Sequence, residues 1–201
     1  MKIAVLGTGM VGRAIAGGLS AAGHDVKVGS RTAGEDKVTF AEAAEFGELA
    51  FNCTAGSGAL DAVGAAAAGL EGKVLVDVSN PLEFHDEGPP TLFVANDDSL
   101  GERIQRAHSG VRVVKALNTM NADLMVDPSL VPGDHVAFVC GDDEAAKVTV
   151  TGLLCELGWP AERVIDLGDI SAARATEAYL LIWLRLMGVV GGSKFNIAVQ
   201  R

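Results

Sequence analysis

The chain has 201 residues, 49% of them hydrophobic, which suits one large domain, or one domain with a small appendage, around a sizeable core. The formal net charge is −10 and no basic patch stands out, so we expect neither nucleic acid nor an anionic membrane surface as a partner. A strand-like run begins at Lys2, and the most apolar late stretch, 178–190, is interrupted by Arg185; we therefore expect no signal peptide and no membrane span.

Apolar strand-like runs alternate with helical patterns along most of the chain. Strands are predicted at 2–6, 25–29, 49–53, 73–78, 112–117, 135–140 and 163–167. Helices are predicted at 10–22, 39–46, 57–69, 97–108, 142–157 and 172–188. This alternation predicts an α/β fold with a doubly wound, mainly parallel sheet that is covered by helices on both faces.

A glycine motif of the form G-x-G-x-x-G lies between the first predicted strand and the first helix. In this context Gly7 permits a tight turn, Gly9 lets the backbone approach a pyrophosphate, and Gly12 lets the helix pack close to the strand. The helix N-terminus then offers free N–H groups to phosphates. A plain turn is the alternative, but the coincidence of motif and context favours a dinucleotide site. Its candidate residues are Gly7, Thr8, Gly9, Met10, Val11 and Gly12.

The end of the second strand indicates which dinucleotide binds. An NAD site would place a carboxylate here for the ribose 2′-OH, but the chain has Gly-Ser-Arg-Thr at 29–32. Arg31 can grip a 2′-phosphate through a two-pronged contact, Ser30 and Thr32 can donate further hydrogen bonds, and Lys37 could reach in from the loop. An ordinary solvated Arg31 is the alternative. The position favours NADP(H).

Three further loops follow later strands and lie at the edge where open α/β sheets bind ligands. The loop after the third strand is expected near the adenine ribose or pyrophosphate, and the one after the fourth near the nicotinamide. Each of these two loops could also be a simple turn. The loop after the fifth strand could contact the nicotinamide carboxamide or the hydride acceptor. The candidates are Cys53, Thr54, Ala55, Asn80, Asn118 and Thr119.

The last part of the chain has a different pattern, and we place a domain boundary there, with a nucleotide-binding domain at 1–168 and a small helical segment at 169–201. The pattern over 172–188 is apolar almost all around, which predicts burial, with a partner subunit as the natural cover. The glycine-rich residues 188–201 could clasp a flat ring or return the chain to the sheet.

Other catalytic machinery is sparse. The four histidines are scattered without metal-ligand spacing, so no metal site is expected. The three cysteines lack C-x-x-C spacing, which favours buried, reduced thiols in a cytoplasmic protein. Lys115 is the one nearby candidate for a general acid, although alternation does not show that it faces the site.

These residues together resemble the dinucleotide-binding enzymes grouped with NADPH-dependent coenzyme F420 reductases. The resemblance covers nearly the whole chain and rests on four segments, 7–12, 29–31, 139–143 and 168–174. It implies a Rossmann domain with a small C-terminal helical part, paired as a homodimer. It also implies that the glycine turn, Ser30 and Arg31 bind NADPH, with a deazaflavin over the nicotinamide.

The chain departs from that pattern at two places. The loop after the third strand lacks the family's proline, and Asn118 stands where a histidine is usual. Residues 115–119 are similar to the NADPH oxidoreductase domain of six-transmembrane metalloreductases, which pass electrons to a flavin. The expected function is hydride transfer between NADPH and F420 or a flavin. A carbonyl or imine reductase and a non-catalytic NADP(H) sensor are the alternatives.

Overall fold

A computed structural model describes residues 1–200 of the chain. The strands of this part are Lys2–Leu6 (β1), Asp25–Ser30 (β2), Val38–Thr39 (β3), Leu49–Asn52 (β4), Val74–Asp77 (β5), Leu82–Glu83 (β6), Thr91–Leu92 (β7), Arg112–Ala116 (β8), Ala137–Cys140 (β9) and Val164–Asp166 (β10). Its α-helices are Met10–Ala21 (α1), Phe40–Phe46 (α2), Ala59–Leu70 (α3), Leu100–Ala107 (α4), Ala122–Val126 (α5), Glu144–Glu156 (α6) and Ala173–Val190 (α7). None of these helices is long and apolar enough to cross a membrane.

The main sheet has the strand order β3-β2-β1-β4-β5-β8-β9-β10. The strands from β3 to β8 are parallel, β9 is antiparallel to β8, and β10 is parallel to β9. After β1 the chain first forms β2 and β3 on one side of it. It then returns to the other side of β1, where β4, β5, β8, β9 and β10 follow in that order. The carboxyl ends of β1 and β4 therefore flank the point where the order reverses, which is where such sheets bind ligands. The predicted doubly wound α/β fold is confirmed.

The central strands are mainly apolar because both faces of the sheet are covered. Ile3 and Val5 of β1 lie in one hydrophobic cluster, and Ala4 and Leu6 lie in the cluster on the opposite face. Successive strand residues point to opposite faces, so a strand that is buried on both sides reads as a continuous apolar run. This is the physical reason that β1 was recognisable in the sequence.

The seven predicted strands are all present, with ends within two residues of those predicted. The structure adds short elements that the sequence pattern did not reveal. The acidic region that follows β5 contains a small antiparallel hairpin of β6 and β7, and α5 is a five-residue helix capped by Asn121. Elements this short contain less than two periods of any hydrophobic repeat, so periodicity does not predict them.

Helix α7 is buried against its own chain on one face only, so the expected cover of its other face by a partner subunit stays a prediction. Its inner face, with Thr176, Glu177 and Leu180, is buried against the chain. Its outer face and last turns expose Leu181, Ile182, Met187, Val189 and Val190. The reason is that α7 packs mainly on α4 and on the turn that precedes α7. After α7 the chain returns towards the sheet, where the Val136 N–H donates to the Ile197 carbonyl at 2.9 Å.

Candidate cofactor site

The glycine turn between β1 and α1 is held by close backbone packing. Gly7 has a φ of +125°, and a Cβ there would lie 2.7 Å from the carbonyl oxygen of Cys53. At Gly12 a Cβ would lie 2.1 Å from the Gly7 carbonyl oxygen, so only glycine lets α1 approach β1 this closely. Both positions therefore require glycine, as the sequence predicted.

The same turn leaves room and hydrogen-bond donors for a ligand. A Cβ at Gly9 would meet no protein atom within 4 Å, so the space above this residue is open. Gly9 is the N-cap of α1, and no side chain caps the N-terminus of this helix. The first turn of α1 contains no acidic residue. The uncapped N–H groups and the positive end of the helix dipole therefore fit a pyrophosphate group.

A cavity of about 590 Å³ extends from this turn across the carboxyl ends of β1, β2 and β4. Of the residues predicted to bind the cofactor, it is lined by Gly7, Thr8, Gly9, Ser30, Arg31, Cys53, Thr54 and Ala55. Segments far apart in the chain thus meet at one opening. Its size is within the range of ligand-binding clefts.

The residues after β2 contribute in different ways. Arg31 is exposed and lines the cavity, so its guanidinium is available to a bound anion. The buried Ser30 hydroxyl donates to the Thr32 carbonyl and accepts from the Thr32 N–H at 3.3 Å. Ser30 therefore stabilises the turn that contains Arg31. Thr32 and Lys37 do not line the cavity.

A second cavity of about 250 Å³ adjoins the first and shares Cys53, Thr54, Ala55 and Ser57 with it. It is also lined by Val11, at the start of α1, and by Asn80. The two cavities together form one elongated cleft across the switch point of the sheet. That shape suits a dinucleotide with its phosphates at the glycine turn.

Asn118 lies behind this second cavity and holds Asn80 in place. The Asn80 side-chain amide donates to the Asn118 carbonyl at 2.8 Å, and the Asn118 amide donates back to Asn80 Oδ1 at 2.9 Å. The preceding residue, Leu117, has a φ of +61°, an uncommon conformation for a bulky side chain. Thr119 is buried and lines neither cavity, and Met10 is exposed outside both.

Several lining residues were missed from the sequence because they come from helix starts rather than strand ends. The start of α2 places Thr39, Phe40 and Ala41 on the first cavity, and the region of α3 adds Ser57 and Asp61. A capping box marked the start of α2, since Thr39 and Glu42 satisfy each other's backbone N–H groups. Nothing comparable pointed to Phe84, an exposed aromatic residue on the second cavity.

The titratable groups at the second cavity, Cys53 on its wall and Lys115 behind it, are unsuited to proton transfer or nucleophilic attack. Burial, assisted by the nearby Asp77 carboxylate, raises the pKa of the Cys53 thiol far above its usual value, so the thiol stays protonated at neutral pH. Lys115 is fully buried and bound to the carboxylates of Asp77 and Glu177. The expectation that all three cysteines are buried holds for Cys53 and Cys140 and is wrong for Cys155, which is exposed.

Comparison with known proteins identifies the family. Residues 2–81 match the family described as NADP oxidoreductase, coenzyme F420-dependent. The F420-dependent NADP reductase of Methanothermobacter marburgensis is 30% identical over 200 residues, covering 88% of each chain. The metalloreductase STEAP3 of Rattus norvegicus is 32% identical over 195 residues; the match covers 92% of this chain, which spans only 37% of that relative's length.

A solved structure from Arthrobacter sp. FB24, provisionally assigned as an F420-dependent NADP reductase, superposes on the chain with a TM-score of 0.94. The two sequences are 47% identical, and the alignment covers 100% of both chains. The sequence match to the Methanothermobacter enzyme extends far beyond the glycine turn, and the structural match extends over the entire fold. The chain therefore belongs to the family of F420-dependent NADP oxidoreductases.

Proposed function

We propose that this protein transfers hydride between NADPH and coenzyme F420, a deazaflavin, or a flavin that takes its place. The observation that carries the proposal is the continuous cleft, in which an anion-binding helix N-terminus leads into a second cavity without acid–base groups. Bound NADPH supplies the hydride from C4 of its nicotinamide, and such chemistry depends on proximity and orientation. The chain's own task is to hold two flat rings against each other and to exclude water.

The cofactor is held, in this proposal, by three groups of residues. The turn from Gly7 to Gly12, including Thr8, Met10 and Val11, surrounds the pyrophosphate. Arg31 binds the 2′-phosphate from a turn that Ser30 and Thr32 stabilise. The nicotinamide end meets the residues of the second cavity and their support, namely Cys53, Thr54, Ala55, Asn80 and Asn118, with Thr119 as a further orienting candidate.

The acceptor lies, in this proposal, at the far end of the second cavity, next to Phe84. This side chain also lines an apolar groove of about 630 Å³ between the β6–β7 hairpin and α7, with Leu181 and Met187 on the opposite wall. An exposed aromatic side chain at the junction of two cavities can stack on a flat ring. The C-terminal segment 169–201 therefore contributes to the acceptor site, and 1–168 forms the nucleotide-binding domain.

Direct reduction of a carbonyl or imine fits the site less well. Such a reaction needs a general acid whose pKa is near the working pH and that reaches the substrate. Burial opposes the charge on Lys115, but the carboxylates of Asp77 and Glu177 outweigh it and raise the pKa of the ammonium. Lys115 therefore keeps its proton and has no access to either cavity.

The test is turnover with defined acceptors. The protein is mixed with NADPH and with F420, FMN or FAD, and the loss of nicotinamide absorbance is followed. We expect oxidation of NADPH with F420 or with a flavin, and little with simple ketones or imines. Tight binding of NADPH without turnover on any acceptor would contradict the proposal and favour a sensor.

We also propose that the protein is a cytoplasmic homodimer. The exposed apolar face of α7 supports pairing, because apolar surface of this kind is usually covered by a partner. The three unpaired cysteines support a reducing compartment. Size measurement in solution tests the first statement, and localisation of the tagged protein in its host tests the second.

A further inference from the structure

Three charged side chains form a cluster in the interior, immediately behind the cleft. The Lys115 ammonium lies 2.7 Å from a carboxylate oxygen of Asp77 and 2.7 Å from one of Glu177. Each of the three side chains is at most 2% exposed. The cluster joins β5, β8 and α7, which are distant in sequence.

A cluster of this kind is a costly way to fill a core. Two carboxylates share one ammonium, and replacing buried ion groups by well-packed apolar residues is often neutral or stabilising. General stability is therefore a weak explanation for these three residues. The hydrogen bonds between the cluster and the residues around it give a more specific explanation.

On one side the cluster holds the two turns of the second cavity. Lys115 Nζ donates to the Ser79 carbonyl at 2.7 Å, and Asp77 Oδ1 accepts from the Ser79 hydroxyl at 2.7 Å. The same oxygen accepts from the Asn52 side-chain amide at 2.8 Å, and Asn52 Oδ1 accepts from the Thr54 hydroxyl at 2.6 Å. Ser79 and Thr54 both line the second cavity. A continuous chain of bonds thus leads from Lys115 to the cavity wall.

On the other side the cluster holds α7 and α4. The Glu177 carboxylate accepts from the backbone N–H groups of Leu100 and Gly101 at 2.8 and 3.0 Å. These groups belong to the first turn of α4, where N–H donors lack partners within the helix. Glu177 thus connects α7 and the start of α4 to the same ammonium that holds Ser79.

We propose that Lys115 is a positioning residue, which fixes the Ser79 and Thr54 turns at the nicotinamide end of the cleft and links them to α7 through Glu177. The assignment rests on the proposed function in one respect, namely that the nicotinamide occupies the second cavity. Lys115 acts through Asp77 and Ser79 and touches neither ring.

The first test replaces one carboxylate oxygen of Asp77 by an amide nitrogen. Asp77→Asn keeps the oxygen that binds Asn52 and Ser79, but it presents an amide nitrogen to the Lys115 ammonium. We expect kcat for hydride transfer to fall by about 10- to 100-fold, since displacement of a reacting group by about 1 Å costs roughly that much. Affinity for 2′-phospho-ADP-ribose, which lacks the nicotinamide, is expected to stay within about twofold.

A matched substitution controls for general loss of packing. Glu102 binds Arg174 through two hydrogen bonds of 2.8 and 2.6 Å and also joins α4 to α7, but it has no bond to the cavity turns. Glu102→Gln is expected to lower the melting temperature without changing kcat. Equal losses of kcat in the Asp77 and Glu102 variants would overturn the proposal.

A milder pair keeps the test decisive even if Asp77→Asn does not fold. Ser79 and Ser99 are both buried serines whose hydroxyls donate to a carboxylate, Asp77 at 2.7 Å and Glu102 at 2.8 Å. Ser79→Ala is expected to lower kcat several-fold with unchanged affinity for 2′-phospho-ADP-ribose. Ser99→Ala, at the N-cap of α4, is expected to affect stability alone. No difference in kcat between the two variants would refute the positioning role.

The fluorescence of bound NADPH separates this proposal from the proposed function. It reports the surroundings of the nicotinamide ring and requires no acceptor. We expect Asp77→Asn and Ser79→Ala to change this emission, whereas Glu102→Gln and Ser99→Ala leave it as in the wild type. Absence of turnover in the wild type refutes the proposed function, while an emission unchanged in all four variants refutes the role of Lys115.

Discussion

Arg31 is the residue on which the choice of NADP(H) over NAD(H) depends. It lies exposed on the wall of the first cavity, and a charge-assisted contact with a phosphate contributes about 1.5–3 kcal/mol. We expect Arg31→Ala to weaken NADPH binding by roughly 10- to 150-fold and to leave NADH binding almost unchanged. Titration of the variant with both cofactors measures this difference.

Lys37 provides the matched control, because it is a nearby cation that does not line the cavity. Lys37→Ala should retain the affinity of the wild type for both cofactors. Equal losses for NADPH and NADH in the Arg31 variant would show that Arg31 has another role. A loss of NADPH affinity in the Lys37 variant as large as that in the Arg31 variant would indicate general attraction of anions.

Gly12 and Gly17 separate close packing from helix propensity within α1. A Cβ at Gly12 would lie 2.1 Å from the Gly7 carbonyl oxygen, whereas one at Gly17 meets nothing within 4 Å. We expect Gly12→Ala to cost about 3 kcal/mol of unfolding free energy and to abolish NADPH binding, because α1 must move. Gly17→Ala should instead stabilise by about 0.5–1 kcal/mol.

Thermal unfolding and cofactor titration of the two glycine variants test this prediction. Similar changes in both variants would contradict it, since the two substitutions are chemically identical and lie in one helix. A Gly12 variant that is fully stable and binds NADPH would show that α1 can move away from the glycine turn without loss of stability or affinity.

At the residue scale, the sequence predicted side chains whose role follows from local position. The glycines and Arg31 are examples, because a strand, a turn and a helix start fix where they lie. Phe84 and the Lys115 cluster were beyond such reasoning. Their surroundings are formed by segments that meet only after folding, as Glu177 of α7 does with Asp77 of β5.

At the scale of secondary-structure elements, the long strands could be predicted from the sequence and the shortest elements could not. The central strands of the covered sheet contain apolar runs bounded by turn residues, and this signal is strong. The β6–β7 hairpin has two residues in each strand, and one further bond extends its pairing, from the Phe93 N–H to the Pro81 carbonyl at 3.0 Å. An element of this kind has too few residues for a periodic signal.

The hairpin gives the prediction that belongs to this scale. If Phe84 stacks on the acceptor, Phe84→Ala should raise KM for the acceptor by about 2- to 12-fold, the equivalent of about 0.5–1.5 kcal/mol for an aromatic pair. The dissociation constant of NADPH should stay unchanged, because the cofactor is held elsewhere. Steady-state kinetics with varied acceptor and a separate NADPH titration measure the two quantities.

His85 distinguishes contact with the acceptor from loosening of the hairpin. It lies next to Phe84, and its Nε2 is 2.8 Å from the Thr91 hydroxyl across the hairpin. His85→Ala removes this bond and leaves the aromatic ring in place. Should it raise the acceptor KM as much as Phe84→Ala does, the effect of Phe84 would be one of hairpin stability.

At the scale of the whole molecule, the strand order determines where the site lies. The helices that follow β1 and β4 lie on opposite faces of the sheet where the order reverses, and the cleft runs along this point from Arg31 to Phe84. The alternation of strands and helices predicted this edge, since parallel sheets bind ligands there. It could not predict the depth of the cleft, which depends on how closely the helix starts approach it.

The exposed face of α7 gives the prediction for the molecule as a whole. Ile182 and Val189 are seven residues apart, so they lie on one face of the helix, and they are 54% and 86% exposed. We expect the wild type to be a dimer and Ile182→Glu with Val189→Glu to be a monomer, because two buried, unpaired carboxylates oppose pairing. Val148→Glu is the control, since Val148 is 72% exposed on α6, and it should leave the dimer intact. Analytical ultracentrifugation measures all three proteins, and a monomeric wild type at micromolar concentration would refute pairing through α7.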